Sequence, residues 1–148
     1  MRLRSPMPEL EGATTWYNGE VTKEDLTGGK PTLIHFWSIS CGLCKEAMPN
    51  VNEFRDKYKD KLNVIAVHMP RSEKDLDLEE IKKVAEDHDI TQPIFVDNAH
   101  KLTDAFENQH VPSYYVFDEE CQLRHFQAGG GGMKMLTKRV NRVLGIKE

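Results

Sequence analysis

The sequence has few cysteines and no long apolar segment. Only three cysteines, Cys41, Cys44 and Cys121, occur among 148 residues, whereas secreted domains that depend on disulfides usually carry more of them, in even number. No segment approaches the ~20 apolar residues that a membrane-spanning helix needs. Residues 1–16 contain no apolar run of signal-peptide length. We therefore expect a cytoplasmic protein that does not insert into a membrane.

The sequence also lacks an excess of positive charge. It contains 20 Lys and Arg against 24 Asp and Glu, for a net charge of -4, so nothing electrostatic favours binding to nucleic acid. It shows no internal repeat and no low-complexity tract. A length of 148 residues is enough for one domain with a hydrophobic core, and we expect a single domain over residues 1–148.

Short apolar runs alternate with amphipathic segments along the chain. The runs at 32–37, 62–69 and 93–96 are typical of strands buried on both faces, and the segments between them repeat apolar residues at helical spacing. Residues 113–118 and 122–128 lie too close in sequence for a crossover, so they predict an antiparallel pair. With a C-terminal helix, the order β-α-β-α-β-α-β-β-α predicts an α/β fold whose mixed five-stranded central sheet is flanked by helices.

The N-terminal part adds a further short element. The dipeptide Asn18-Gly19, between Trp16-Tyr17 and Val21, predicts a two-residue turn and hence an N-terminal hairpin. Thr22 is then expected to cap one short helical turn.

The chemistry is suggested by Cys41-Gly42-Leu43-Cys44, which follows the first buried strand and opens a helix that contains Pro49. Two residues three apart on a helix share a face, so their Cα atoms should lie about 5 to 6 Å apart, within the range that a disulfide tolerates. The free N–H groups at a helix start favour an anion, here the thiolate of Cys41. The pattern predicts that Cys41 attacks a disulfide and Cys44 resolves the mixed disulfide.

Two other interpretations of the cysteine pair compete with this one. A zinc site would need two further ligands, and the six histidines are scattered along the chain without the spacing of a zinc motif. Two inert core thiols would be unexpected at a helix start. Cys121, at a predicted turn, is interpreted as a surface thiol without function, with glutathionylation or dimerisation as the alternative.

Three stretches together carry a resemblance to a known family. They are HFWSISCGLCK at 35–45, VPSYYVFD at 111–118 and FQAGG at 126–130. Their order and placement resemble those of thioredoxin-fold proteins over about residues 32–145. The predicted hairpin at 9–27 and the extra segment at 70–83 are similar to the TlpA/ResA-like branch, and within it to its small soluble Bacillus-type members.

The resemblance implies a role for five residues. Cys41 would be the nucleophile and Cys44 the resolving thiol, while Trp37 would shape the site beneath them. Pro112 would be a cis-proline, and the backbone of the preceding Val111 would pair with an extended substrate segment.

Two sites depart from the pattern of the family. His35 stands where thioredoxins have a buried carboxylate, and Arg71 or Glu73 falls where ResA-like proteins place a glutamate. We expect His35 to accept the proton of Cys44, because an imidazole titrates in the useful range. Glu73 is a second candidate and His68, at the end of the neighbouring strand, a weaker third, and simple packing of His35 is the alternative.

The dipeptide between the cysteines differs as well. Gly42-Leu43 stands where thioredoxins have Gly-Pro, which frees an N–H at the helix start and should change the reduction potential. Ser40 replaces a second tryptophan of the thioredoxins and suggests a less apolar docking face.

We therefore expect a thiol-disulfide oxidoreductase that reduces disulfides of protein substrates and needs no prosthetic group. The resemblance implies a monomer that a flavoprotein disulfide reductase reduces again. One alternative is a thiol peroxidase of the redoxin group that uses Cys41, for which Ser38 and Ser40 are a partial match. The other is a non-catalytic module that holds thiol proteins with the loop around Pro112.

Overall fold

The computed structural model describes residues 1–146 of the protein. Its regular elements lie at Thr15–Tyr17 (β1), Lys23–Leu26 (α1), Thr32–Trp37 (β2), Gly42–Lys57 (α2), Asn63–His68 (β3), Leu78–Asp87 (α3), Ile94–Val96 (β4), Lys101–Phe106 (α4), Ser113–Phe117 (β5), Leu123–Ala128 (β6) and Met133–Leu144 (α5). A 3₁₀ helix at Glu73–Leu76 precedes α3. The predicted order of strands and helices from β2 to α5 is confirmed.

The strands form one mixed sheet in the order β1-β4-β3-β2-β5-β6. β2 runs parallel to β3 and antiparallel to β5, and it is fully buried. Successive side chains of a strand point to opposite faces, so Leu33 and Trp37 enter one core while Ile34 and Phe36 enter the other. The nearly continuous apolar run of β2 is therefore explained by a strand that is covered on both sides.

Helices cover both faces of the sheet. α2, α3 and α5 pack on one face with residues such as Phe54, Ile81 and Leu136. α1, α4 and the N-terminal segment cover the other face, where Met7 and Phe106 are buried. Cys41 and Cys44 belong to the first of these two cores.

The sheet has six strands, so the expected count of five was wrong, and the predicted N-terminal hairpin is not formed. Thr15 and Trp16 pair antiparallel with β4, and the Trp16 ring packs edge-on against Phe95 with centroids 5.1 Å apart. Asn18 has φ +64°, and its side-chain amide donates to the carbonyls of Ile90 and Gln92. The Asn-Gly pair therefore ends a strand at the sheet edge. Pairing with β4 packs the Trp16 ring against Phe95, which pairing with Val21 would not do.

The environment of Cys121 also corrects an expectation. Cys121 is completely buried, so the interpretation as a surface thiol was wrong. Its backbone carbonyl accepts from the Met7 amide, and the Thr27 hydroxyl lies 3.4 Å from its Sγ. The N-terminal segment covers the turn between β5 and β6, and this cover makes the thiol inaccessible.

Side chains satisfy backbone groups at two short helices, and the cap at Thr22 was predicted. Thr22 forms a capping box with Asp25 at α1. Asp97 accepts from the amides of Leu102 and Thr103 at the start of α4, and these bonds satisfy N–H groups that a helix leaves free. No helix within residues 1–146 is long and apolar enough to cross a membrane.

Two neighbouring residues of α5 test the core packing. Leu136 is 0% exposed and Met135 is 45% exposed. We expect Leu136→Ala to lower the free energy of unfolding by about 2 to 5 kcal/mol, since it leaves a cavity beneath the helix. Met135→Ala, the matched control, should change it by less than about 0.5 kcal/mol. Urea unfolding followed by circular dichroism measures both, and equal losses would show that α5 does not pack as described.

Candidate active site

The two cysteines of the motif lie where β2 gives way to α2. Cys41 is the N-cap residue of α2, and Cys44 lies in its first turn. Their Sγ atoms form a disulfide across a Cα–Cα distance of 5.3 Å, within the predicted range. The pair therefore closes without displacing either the strand or the helix.

The start of α2 provides the electrostatic environment of Cys41. The Cys44 amide donates to the Cys41 Sγ at 3.0 Å, as an N-cap side chain accepts from the third residue of a helix. α2 has 16 residues, and the partial positive charge of its first turn faces the same sulfur. This arrangement stabilises negative charge on Cys41 and leaves Cys44 one turn deeper in the helix.

An aromatic and an imidazole ring support the loop before Cys41. Trp37 is buried in the same core as the two cysteines and packs edge-on against His68, with ring centroids 5.0 Å apart. His68 Nε2 accepts from the Ile39 amide at 3.2 Å, and Ser38 donates its hydroxyl proton to the Met69 carbonyl. The end of β3 thus holds the loop that leads into the helix.

The loop around Pro112 has the geometry that the resemblance implies. The Val111–Pro112 peptide bond is cis, and the Pro112 carbonyl accepts from the Gly129 amide at 2.9 Å. Gly129 has φ +96°, a conformation that residues with a Cβ avoid. Glycine is therefore required where the end of β6 meets this loop.

The next glycine of the same run contacts the dithiol loop. A Cβ added to Gly130 would lie 3.3 Å from the Leu43 side chain, so the absence of a side chain allows the two loops to approach. Leu43 itself is 55% exposed. It presents an apolar surface between the two cysteines, while Gly42 beside it is open to solvent.

The position of His35 does not favour the proposed proton transfer. His35 is buried and lies 2.9 Å from the Gln92 amide nitrogen, and Gln92 in turn accepts from Arg55. Burial lowers the pKa of His35 from 6.5 to about 3, and the charge of Arg55 contributes in the same direction. The ring therefore stays neutral far below the range on which the prediction depended, and packing is the better interpretation.

The extra segment places a different carboxylate near the dithiol than expected. Glu73 is exposed, and within residues 1–146 its side chain makes no hydrogen bond. Asp75 is buried instead and accepts from the Ser40 hydroxyl at 2.8 Å. No sequence pattern indicates this choice, because Leu76 is exposed and Asp75 is buried, the reverse of the usual relation between polarity and burial.

Comparisons with known proteins agree with the geometry. The family model described as AhpC/TSA family matches residues 3–126. The chain is 74% identical to the thiol-disulfide oxidoreductase YkuV of Bacillus subtilis (strain 168), over the full length of both proteins. It is 33% identical over 141 residues to Protein DipZ of Mycobacterium bovis, which covers 93% of this chain and 20% of that protein.

A solved structure supports the fold. The solution structure of a thioredoxin-like protein in the oxidized form superimposes with a TM-score of 0.92 at 74% sequence identity, covering all of both chains. The thioredoxin fold that the resemblance implied is confirmed.

The buried histidines predict how stability depends on pH. Burial lowers the pKa of His35 to about 3 and that of His68 to about 4. In the unfolded chain both titrate near 6.5, so below that pH the unfolded state binds more protons and the folded state loses stability. We expect each histidine to contribute about 1 kcal/mol per pH unit to this loss between pH 6.5 and 4.5.

Urea unfolding of His35→Gln over this pH range measures the His35 contribution. The variant should show a shallower loss of stability than the wild type, since glutamine does not titrate. His110→Gln, at an exposed position, is the matched control and should keep the wild-type slope. A wild-type slope in His35→Gln would contradict the buried neutral ring.

Proposed function

Since the chain belongs to the AhpC/TSA family and is a thioredoxin-like thiol-disulfide oxidoreductase, we propose that Cys41 and Cys44 together reduce disulfides of protein substrates. One observation carries the proposal: the disulfide between the two residues lies at the start of α2. The Cys44 amide donates to Cys41 Sγ. A pair that opens and closes with little backbone movement is suited to transfer two electrons.

Cys41 is the attacking residue in this proposal. A thiolate, not a thiol, attacks a disulfide, and the first turn of α2 supplies both a hydrogen bond and a positive field to Cys41. Cys44 lies within the helix, where its backbone N–H is already committed to Cys41. This asymmetry favours Cys41 as nucleophile and Cys44 as resolving thiol.

The exchange proceeds in two steps. The Cys41 thiolate attacks one sulfur of the substrate disulfide, an S–S bond forms between enzyme and substrate, and the other substrate sulfur leaves as a thiolate. Cys44 then attacks Cys41 Sγ, which releases the second substrate sulfur and forms the Cys41–Cys44 disulfide. Two electrons pass to the substrate, and the protons end on its two thiols.

The Pro112 loop supports binding of an extended substrate segment. In the part of the chain that the structure describes, no backbone hydrogen bond of Val111 is present, so its polar groups can pair with a strand-like segment. The exposed Leu43 side chain would form the apolar side of this surface, Trp37 would support it from the core, and Gly42 adds no side chain that could obstruct it.

The cellular setting follows from the same proposal. A reduced dithiol must be regenerated after each turnover, and a flavoprotein disulfide reductase is the class of partner that would do this. We propose that the protein works as a monomer in the cytoplasm. The low cysteine content fits this compartment, because cytoplasmic proteins rarely depend on structural disulfides. The two cysteines carry the electrons, so the reaction needs no prosthetic group.

The peroxidase alternative finds less support. Activation of peroxide at Cys41 would need a hydroxyl and a guanidinium directed at its sulfur. The Ser38 hydroxyl donates to the Met69 carbonyl, and the Ser40 hydroxyl donates to Asp75. Both hydroxyl protons are therefore committed elsewhere, and peroxide consumption by the reduced protein should be slow compared with disulfide reduction.

Substitution of each cysteine tests the proposal. We expect Cys41→Ser to abolish reduction of insulin disulfides, since the nucleophile is lost. Cys44→Ser should also lose turnover, and it should accumulate a mixed disulfide with the substrate that non-reducing electrophoresis detects.

Cys121→Ser is the matched control for the loss of a thiol outside the site and should retain most of the activity. Turnover that survives in Cys41→Ser would refute the assignment. An unchanged affinity for substrate proteins in a Cys41→Ser/Cys44→Ser variant, together with no wild-type turnover, would instead support the non-catalytic binding module.

A further inference from the structure

A hydrogen-bonded bridge lies immediately before the nucleophile. The Ser40 hydroxyl donates to Asp75 Oδ2 at 2.8 Å. Ser40 Oγ in turn accepts from Arg71 Nη2 at 3.0 Å and from Arg71 Nε at 3.3 Å. The Arg71 amide also donates to Asp75 Oδ2 at 2.9 Å. A guanidinium and a carboxylate are thus joined through one hydroxyl, on the residue next to Cys41.

The two charges of this bridge have different surroundings. Asp75 is 1% exposed, whereas Arg71 is exposed to solvent. Within residues 1–146 the two side chains form no direct ion pair, and neither charge is neutralised by another salt bridge. The two charges therefore meet only through the Ser40 hydroxyl, and their fields at the neighbouring Cys41 are opposite in sign.

We propose that Arg71 and Asp75, joined through Ser40, are positioning residues that tune the reactivity of Cys41 in opposite directions. Arg71 stabilises the Cys41 thiolate and Asp75 opposes it. The inference rests on the proposed function, since it concerns the same nucleophile. It adds two residues of the extra segment whose charges raise or lower the stability of the Cys41 thiolate.

The sign of each effect follows from charge and distance. Consecutive Cα atoms are about 3.8 Å apart, so a side chain bonded to Ser40 is close to Cys41. Interactions between charges at this range are substantial near a protein surface and are larger when one charge is buried. Removal of the buried carboxylate should therefore have at least as large an effect as removal of the exposed guanidinium.

Other charged or titratable groups stand on the elements around Cys41. α2 contributes Lys45 and Glu46, β3 ends with His68, and His110 precedes the Pro112 loop. Burial lowers the pKa of His68 to about 4, so it is neutral at pH 7. None of these side chains bonds to Ser40 in the part of the chain that the structure describes, so the bridge is a separate influence on Cys41.

The opposing charges of Arg71 and Asp75 should also affect the equilibrium between the Cys41/Cys44 dithiol and its disulfide. A group that stabilises the thiolate stabilises the reduced protein and makes the dithiol a weaker reductant. Arg71 should therefore shift the equilibrium with glutathione towards the dithiol, and Asp75 should shift it towards the disulfide. A tenfold change in this equilibrium constant corresponds to about 30 mV.

Two charge-removing variants test the inference. In Asp75→Asn, the pH midpoint for alkylation of Cys41 should move down by about half a unit to one unit, and in Arg71→Gln it should move up by a smaller amount. The equilibrium constant with glutathione should change about three- to tenfold, in opposite directions for the two variants. The double variant should lie between them.

Two control variants make the same changes of charge at neighbouring positions of the extra segment. Lys74→Gln removes a positive charge and Glu80→Gln a negative one from exposed positions that make no bond to Ser40. Both should leave the alkylation profile and the glutathione equilibrium near wild type. Ser40→Ala breaks the bridge but keeps both charges, so it should weaken the effect of each single variant.

The outcomes separate the inference from its alternatives. If Arg71→Gln and Asp75→Asn shift both quantities in the same direction, the bridge only holds the loop and the inference is wrong. Shifts as small as those of the controls also overturn it. If the wild-type protein itself shows no redox equilibrium with glutathione, the proposed function fails instead, whatever the variants do to alkylation.

Discussion

β2 lies between β3 and β5 and is buried on both faces. This constraint fixes the position of the residues that directly follow the strand, including the two cysteines. The strand is held by hydrogen bonds to two neighbours, so its carboxyl end has little freedom. α2 begins directly afterwards with Cys41 as its N-cap. The hydrogen bond from the Cys44 amide to Cys41 Sγ therefore has a fixed geometry, and the same helix start both closes the disulfide and stabilises the thiolate. The position of Cys41 Sγ is thus set by a strand that is held on both sides.

A second support comes from the chain that follows β3. The parallel pairing of β2 with β3 ends at Trp37 and His68, so the two segments that continue from these strands run side by side. His68 and Met69 hold the loop before Cys41 from one side, and Asp75 holds Ser40 from the other. The extra segment at 70–83 is therefore in contact with Ser40, the residue before Cys41.

Much of the fold could be predicted because apolar periodicity reports burial directly. The runs that became β2, β3 and β5 are continuous because both faces of these strands are covered. β1 gave a weaker signal, since its three residues are only partly buried at the sheet edge, and Asn18-Gly19 suggested a turn of the wrong kind. The burial of Cys121 could not be read from its polar neighbours, because the N-terminal segment that covers it is distant in sequence.

The spacing of Cys41 and Cys44 determined by itself that a disulfide can form at a helix start, because residues three apart on a helix lie on one face whatever surrounds them. The cis-proline was inferred from a resemblance, and the hydrogen bond from the Gly129 amide to the Pro112 carbonyl joins residues that are distant in sequence. Only the tertiary structure decided the partners of His35 and the choice of Asp75 over Glu73, because the charge state and direction of a side chain depend on what packs against it. The spacing of the two cysteines determines that they can form a disulfide. The charges and hydrogen bonds around them come from residues that meet only when the chain folds.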